Sequence, residues 1–259
     1  MLSMRVYISG QTANATSNSE LCLTVYSPAG DILSQLPWPP EAHSRKHRMY
    51  LPDYFNETRP AVLHEFVRQH PLASLVTLGS EGLNANHIPF ELDVEPAPYG
   101  TLRGHVARAN PVWRDHSREI DALVIFHGPQ AYVSPTWYET KKQTGEVVPT
   151  YNYVVAHAYG RLQIVDDRAW LRVLVTRLTE RFESGRPTPW HVSDAPQPFI
   201  DTQLDAIVGI EIAIGKLVGK WKASQNRPAA DRNGVAQALG VMADADSLAM
   251  AQLIKERSS

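Results

Sequence analysis

The sequence predicts an α+β fold, mainly β: a closed or partly closed antiparallel barrel with peripheral helices and a C-terminal helical hairpin. Three observations predict it. Short runs rich in Val, Ile, Thr and Tyr recur between Gly-, Pro- and Asn-containing turns from Leu72 to Leu217. Two helical patterns sit beside them, at Arg59–His70 and from Asp166 or Asp167 to Ser184. Two further helical stretches, Arg232–Leu239 and Ser247–Lys255, finish the chain.

In the first helix, Val62, Leu63, Phe66 and Val67 fall on one face, and His70-Pro71 closes it. Leu72–Leu78 reads as a buried strand. Gly79–Gly82 is a hairpin turn into a second strand, Leu83–Leu92, where Pro89 signals an edge or a bulge. Tyr99–Val106 is a third strand, and Asn110-Pro111 opens a short helix carrying Trp113 and His116. Asp121–His127 is strongly apolar; Gly128-Pro129 turns it and Ala131–Val133 pairs back. Residues 139–149 are polar and expected as an exposed loop, and Tyr151–Val165 as one long strand. An aspartate then caps a helix whose core face is Trp170, Leu171, Leu174, Leu178 and Phe182. Gly185–Gln197 is irregular, Ile207–Leu217 is the last strand, and Asn226–Asp231 is a turn.

Composition narrows the function classes. With 43% hydrophobic and 20% charged residues over 259 positions, the chain can bury a core without disulfides or metal. A net charge of −2 supplies no global field for nucleic acid or anionic lipid. Cys22 is the single cysteine, so no intrachain disulfide forms and a cytoplasmic home is expected. No apolar run reaches the roughly 20 residues a bilayer demands, so no membrane association is expected. Residues 1–48 are polar, proline-containing and aperiodic apart from one stray strand at Leu21–Tyr26. They are expected as a disordered or non-native extension, with Met49 as the true start and 49–259 as the domain.

Several familiar motifs fail. Gly209–Lys216 has five residues between its glycines where a P-loop needs four, and Leu217 follows the lysine in place of Ser or Thr. No dinucleotide fingerprint, zinc-protease motif or nucleophile elbow is present, so no catalytic residue and no metal site are assigned. The two C-terminal helices superficially form a helix-turn-helix. Asp244, Asp246 and Ser247 begin the second one, where acid repels phosphate, so a packing hairpin is the expected reading.

Seven blocks in order carry a family resemblance: MYLPDYF (49–55), GLNANHIPF (82–90), GHVARANPVW (104–113), ALVIFHGPQAYVSPTWY (122–138), VPTYNYVVAHAYG (148–160), IVGIEIAIGKLVGKWKASQNR (207–227) and DRNGV (231–235). With these the chain resembles the PaiB-type FMN-binding negative transcriptional regulators. The resemblance implies an FMN-binding split β-barrel, a homodimer with flavin at the subunit interface, and a regulatory role through DNA or a transcription partner. Two departures stand out: Tyr151 replaces the family's tryptophan, and Val218 precedes Gly219 where a polar residue is usual.

FMN needs cations and N–H donors at its phosphate and aromatic or apolar faces along its ring. His105, Arg108 and Asn110 lie where a strand leads into a helix start, which favours an anion; a capped helix beside a surface arginine is the alternative. Lys220 and Lys222 share one strand face with Trp221 opposite, and Gln225 and Arg227 follow; two solvated lysines beside a core tryptophan is the alternative. Asn84 and His87 sit on opposite faces of one strand, where a side-chain amide suits the ring's N3 edge. Ser134 and Trp137 follow a strand and would cover the isoalloxazine or line a dimer interface. A flavin-binding regulator is the leading class. An FMN-dependent oxidoreductase of split-barrel type, acting on a pyridoxamine-phosphate-like or haem-related substrate, competes with it, and a structural dimer without flavin is the third.

Overall fold

The computed structural model describes residues 49–257, so the expectations for residues 1–48 lie outside the described residues. Two antiparallel sheets form the molecule. The larger holds β1 (Asn56–Glu57), β2 (Leu72–Gly79), β3 (Gly82–Pro89), β6 (Ala122–Val133), β7 (Thr150–Gly160) and β10 (Lys216–Lys222), in the order β1-β10-β7-β6-β2-β3. The smaller holds β4 (Glu91–Asp93), β5 (Thr101–Ala107), β8 (Leu162–Val165) and β9 (Ile207–Ala213), in the order β4-β5-β9-β8. The helices are α1 (Pro60–Gln69), α2 (Thr140–Gln143), α3 (Arg168–Glu183), α4 (Gln197–Asp205), α5 (Ala229–Leu239) and α6 (Ala245–Glu256).

The inner faces make one core. Leu75, Val124, Phe126 and Ala156 from the larger sheet and Leu102, Ile210 and Ile212 from the smaller are all fully buried in it. Phe90 meets Phe126 edge to face at 6.3 Å. Strict alternation along β7, with Asn152, Val154, Ala156 and Ala158 inward, follows from the two-residue side-chain period of a strand. The result is a split barrel with helices at its edges.

Three predicted strands each divide between the two sheets. Leu83–Leu92 breaks at Phe90 into edge strand β3 and β4. Tyr151–Val165 breaks after Gly160 into β7 and β8. The backbone there is so close to β9 that a Cβ on Gly160 would lie 2.1 Å from the Ala213 carbonyl oxygen. Ile207–Leu217 ends early at Ala213, and Gly215 lets the chain cross to β10. These are the corners of the barrel, where a strand leaves one sheet for the other, and an apolar run alone does not show them.

Gly128-Pro129 is no hairpin. β6 continues through it as a bulge, with register shifting between His127 and Gln130 while both halves pair with β7. Phe66 of α1 fills the space beside Gly128, where a Cβ would come within 2.5 Å of its ring. The helix expected at Asn110 is a single 3-10 turn, Pro111–Trp113. Phe182 is 49% exposed, not part of the core face of α3, because Leu171, Leu174 and Leu178 already make that contact. Helix α2 lies within the expected loop, and α4 went unpredicted. The C-terminal pair packs into the body: Met250, Ala251 and Ile254 of α6 are buried in the main core.

Candidate functional site

β10 presents Lys216, Val218, Lys220 and Lys222 to the outside of the larger sheet, opposite Tyr159, His157, Val155 and Tyr153 of β7. β6 continues this face with Ile125 opposite His157 and His127 opposite Val155. No residue that β6, β7 or β10 turns to this side is acidic. The face is therefore cationic at one edge and apolar in the middle, with tyrosines along β7.

Lys220 is 6% exposed, and its ammonium donates to the Tyr50 carbonyl at 2.8 Å. It lies over the rings of Tyr50 and Tyr153 at 5.4 and 5.3 Å. Lys222 donates to Thr150 Oγ1 at 2.5 Å and to the Tyr151 carbonyl. Burial, then the charges of Lys220 and Arg227, hold the Lys222 amine below the ordinary lysine range. Arg227 comes from the turn after β10 and stacks on Tyr138, 4.7 Å from the ring centre. Burial, then His127, Lys216 and Lys220, push His157 below the ordinary imidazole range.

Three cations that repel one another, with no carboxylate on the same sheet face, fit a group bearing roughly two negative charges. Each lysine ammonium has three donors, and the bonds described leave capacity for an oxyanion. The tyrosine-bearing surface of β7 fits a planar ring. The residues present thus fit FMN, and Lys220, Lys222 and Arg227 are the ones that would hold its phosphate.

The other expected site residues are placed elsewhere. Trp221 points to the opposite side of β10, 4% exposed, against Phe66 at 5.0 Å. Gln225 closes the turn: its Oε1 accepts from the Ala223 N–H at 2.7 Å and its amide donates to the Trp221 carbonyl at 2.5 Å. Arg108 is committed to Asp166 at 2.9 and 2.6 Å and donates to the carbonyls of Asp205 and Ile207. That pairing occupies the guanidinium with a carboxylate and two carbonyls. Asn110 caps its turn by accepting from Val112 N–H and donates to Asn86, which in turn donates to Asn84. These asparagines lie on the opposite side of β3 from His87, whose Nδ1 is 3.2 Å from Ser74 Oγ.

His105 faces the outside of the smaller sheet opposite Gly209, and Trp170 of α3 covers that glycine. Its Nδ1 is buried without a partner, and burial lowers its pKa. Ser134 caps a 3-10 turn, accepting from Thr136 N–H. The Trp137 carbonyl abuts Gly234 of α5, where a Cβ would lie 2.1 Å away. Sequence reasoning missed Tyr153, His127 and His157. The alternation of Tyr151, Tyr153, Val155, His157 and Tyr159 was the available signal, since one parity of β7 is aromatic or basic and the other small or apolar. Among the described residues no group of three His, Cys, Asp or Glu side chains could hold a metal ion, and no helix is long and apolar enough to cross a membrane.

Comparison with known proteins bears on this geometry. Residues 49–216 match the family described as "Putative FMN-binding domain". An uncharacterized protein of Aspergillus fumigatus is 34% identical over 254 residues, spanning 81% of this chain and 97% of that one. The protease synthase and sporulation protein PAI 2 of Bacillus subtilis is 30% identical over 209 residues, spanning 81% of this chain and 98% of that one. Among solved structures, the FAD and heme binding protein of Mycobacterium smegmatis aligns with 64% of this chain and 73% of its own, at 18% identity and a TM-score of 0.48. The chain therefore belongs to the FMN-binding domain family that includes the PaiB-type proteins, and FMN is its cofactor.

Proposed function

We propose that this protein is a cytoplasmic homodimer that holds FMN on the outer face of its larger sheet and serves as a flavin-dependent negative regulator. The observation that carries the reading is the Lys220–Lys222–Arg227 cluster, where burial and then like charges depress the Lys222 amine and no carboxylate faces the same side of the sheet. Lys220, Lys222 and Arg227 would hold the phosphate, and the face carrying Tyr153, Val155 and His157 would receive the ring. Bound flavin supplies whatever hydride or electron chemistry occurs. Lys220 and Lys222 would anchor its phosphate end, and the tyrosines would exclude water from its ring.

A second copy is the natural cover for the middle of this face, where Leu123, Ile125, Val155 and Val218 are only half-buried. An apolar patch of this kind, covered by the same patch of a second copy, would suit a two-fold dimer. The regulatory part of the reading leans on the Bacillus relative, named for protease synthesis and sporulation. It works through a protein partner: α6 is buried along its core side, and Asp244 caps its start by accepting from Ser247 N–H at 2.8 Å, so no basic helix start is available to DNA.

The test is a flavin fluorescence titration of purified protein with sedimentation analysis of mass. Saturable quenching by FMN in a two-subunit species supports the proposal. A monomer that leaves FMN fluorescence unchanged overturns it. Bleaching of bound flavin by NADH or NADPH with multiple turnovers would replace the regulator with an FMN-dependent oxidoreductase.

A further inference from the structure

A second site lies on the other sheet. Helix α3 crosses the outside of β4 and β5, and between it, β4 and the end of α1 is a cavity of about 350 Å³. Its walls are Arg68 from the last turn of α1, Leu92, Asp93 and Val94 from β4 and its end, and Arg177 and Arg181 one turn apart on α3. That volume suits a small metabolite. The arginines are not equivalent. Arg177 pairs with Glu91 at 2.7 Å, and Asp93 is held by Arg103 at 2.8 Å. Arg181 donates to the Arg68 carbonyl, which draws the two residues together, and its guanidinium also lies 5.4 Å from the Phe182 ring centre. Among the described residues neither Arg68 nor Arg181 has a carboxylate partner.

We infer that this cavity binds a small acidic metabolite, a carboxylate or phosphate ester, through Arg68 and Arg181. Both arginines line the cavity without a carboxylate partner, and an oxyanion there would be held by charge-assisted hydrogen bonds. Glu91 and Asp93 are each held by an arginine, Arg177 and Arg103, which leaves Arg68 and Arg181 to receive the acid group. Leu92 and Val94 offer apolar wall to the carbon skeleton. The site shares no residue with the cation cluster on β10, and the inference stands or falls independently of where FMN binds.

The experiment is calorimetric titration of the full-length, FMN-saturated protein with succinate and, separately, with glycerol 3-phosphate. Saturable binding of succinate alone assigns a carboxylate ligand, and of glycerol 3-phosphate alone a phosphate ester. Arg68→Gln and Arg181→Gln should each weaken that binding about tenfold, the cost of one charged hydrogen-bonding partner, while Arg186→Gln, outside the cavity and paired with Glu183, leaves it unchanged. The two arginines sit on different helices, so a folding defect in one variant leaves the other to decide. The inference is overturned by no saturable heat from either compound, by unchanged binding in the Arg68 and Arg181 variants, or by an equal loss in Arg186→Gln. FMN fluorescence in the same samples reports separately on the flavin site.

Discussion

Lys220 and Trp221 are neighbours on β10 that serve opposite sides of one sheet. The Lys220 ammonium reaches the Tyr50 carbonyl at 2.8 Å on the outer face, while the Trp221 ring packs on Phe66 at 5.0 Å inside. Gly219 completes the arrangement: a Cβ there would lie 2.3 Å from the Trp221 ring and 2.4 Å from Leu63. One strand therefore ties the proposed cofactor face to the core through adjacent residues.

This separates two phenotypes. Trp221→Ala should destabilise the fold by about 3–5 kcal/mol, the usual cost of deleting a buried tryptophan. Chemical denaturation measures it, and an unchanged midpoint would contradict the packing assigned to this ring.

Lys222→Ala and Arg227→Ala should each weaken FMN about ten- to a hundredfold, since each removes one charge from the cation cluster. Fluorescence quenching reads the affinity, and circular dichroism should show the fold intact. Arg108→Ala should leave FMN affinity alone and lower the melting temperature, because Asp166 and two carbonyls occupy its guanidinium.

FMN affinity should fall as pH rises above neutral, earlier than a normal lysine would dictate. Burial and two neighbouring cations depress the Lys222 amine, and a bound phosphate raises it again. Binding therefore takes up a proton between the free and bound pKa values, and affinity declines as pH rises through that window. Lys222→Arg, which stays protonated, should flatten this limb. A pH profile identical in both proteins would remove Lys222 from the phosphate site.

Glu57 anchors the C-terminus to β1. Its carboxylate, 4% exposed as a residue, meets Arg59 at 2.7 Å and Arg257 at 2.5 Å, and these bonds lower its pKa to about 2. A depressed carboxylate contributes stability that is present above its unfolded pKa and lost as pH falls from about 4.5 to about 2. Glu57→Gln should cost about 2 kcal/mol near neutral pH, less than the full shift implies because Arg59 is open to water. The difference between variant and parent should vanish towards pH 2 in acid-denaturation curves.

The sequence by itself determined the class of fold, α1, the capped α3, the C-terminal hairpin and the FMN family. Each rests on local signals: a 3.6-residue apolar period, Asp167 accepting from Trp170 N–H, or blocks of contiguous residues. Opposite facing of Lys220 and Trp221 was legible for the same reason, because alternation in a strand is a local rule. Only the tertiary structure decided where strands change sheet at Phe90, Gly160 and Ile214, since closure of the barrel sets those corners and no short window contains it. It also decided which polar residues share a site. Arg108 looked as apt for phosphate as Lys222 until Asp166, distant in sequence, took its guanidinium, whereas Arg227 and Lys220 left Lys222 among like charges. Charge compensation depends on what the fold brings near, and that is written in long-range contacts that residue spacing does not encode.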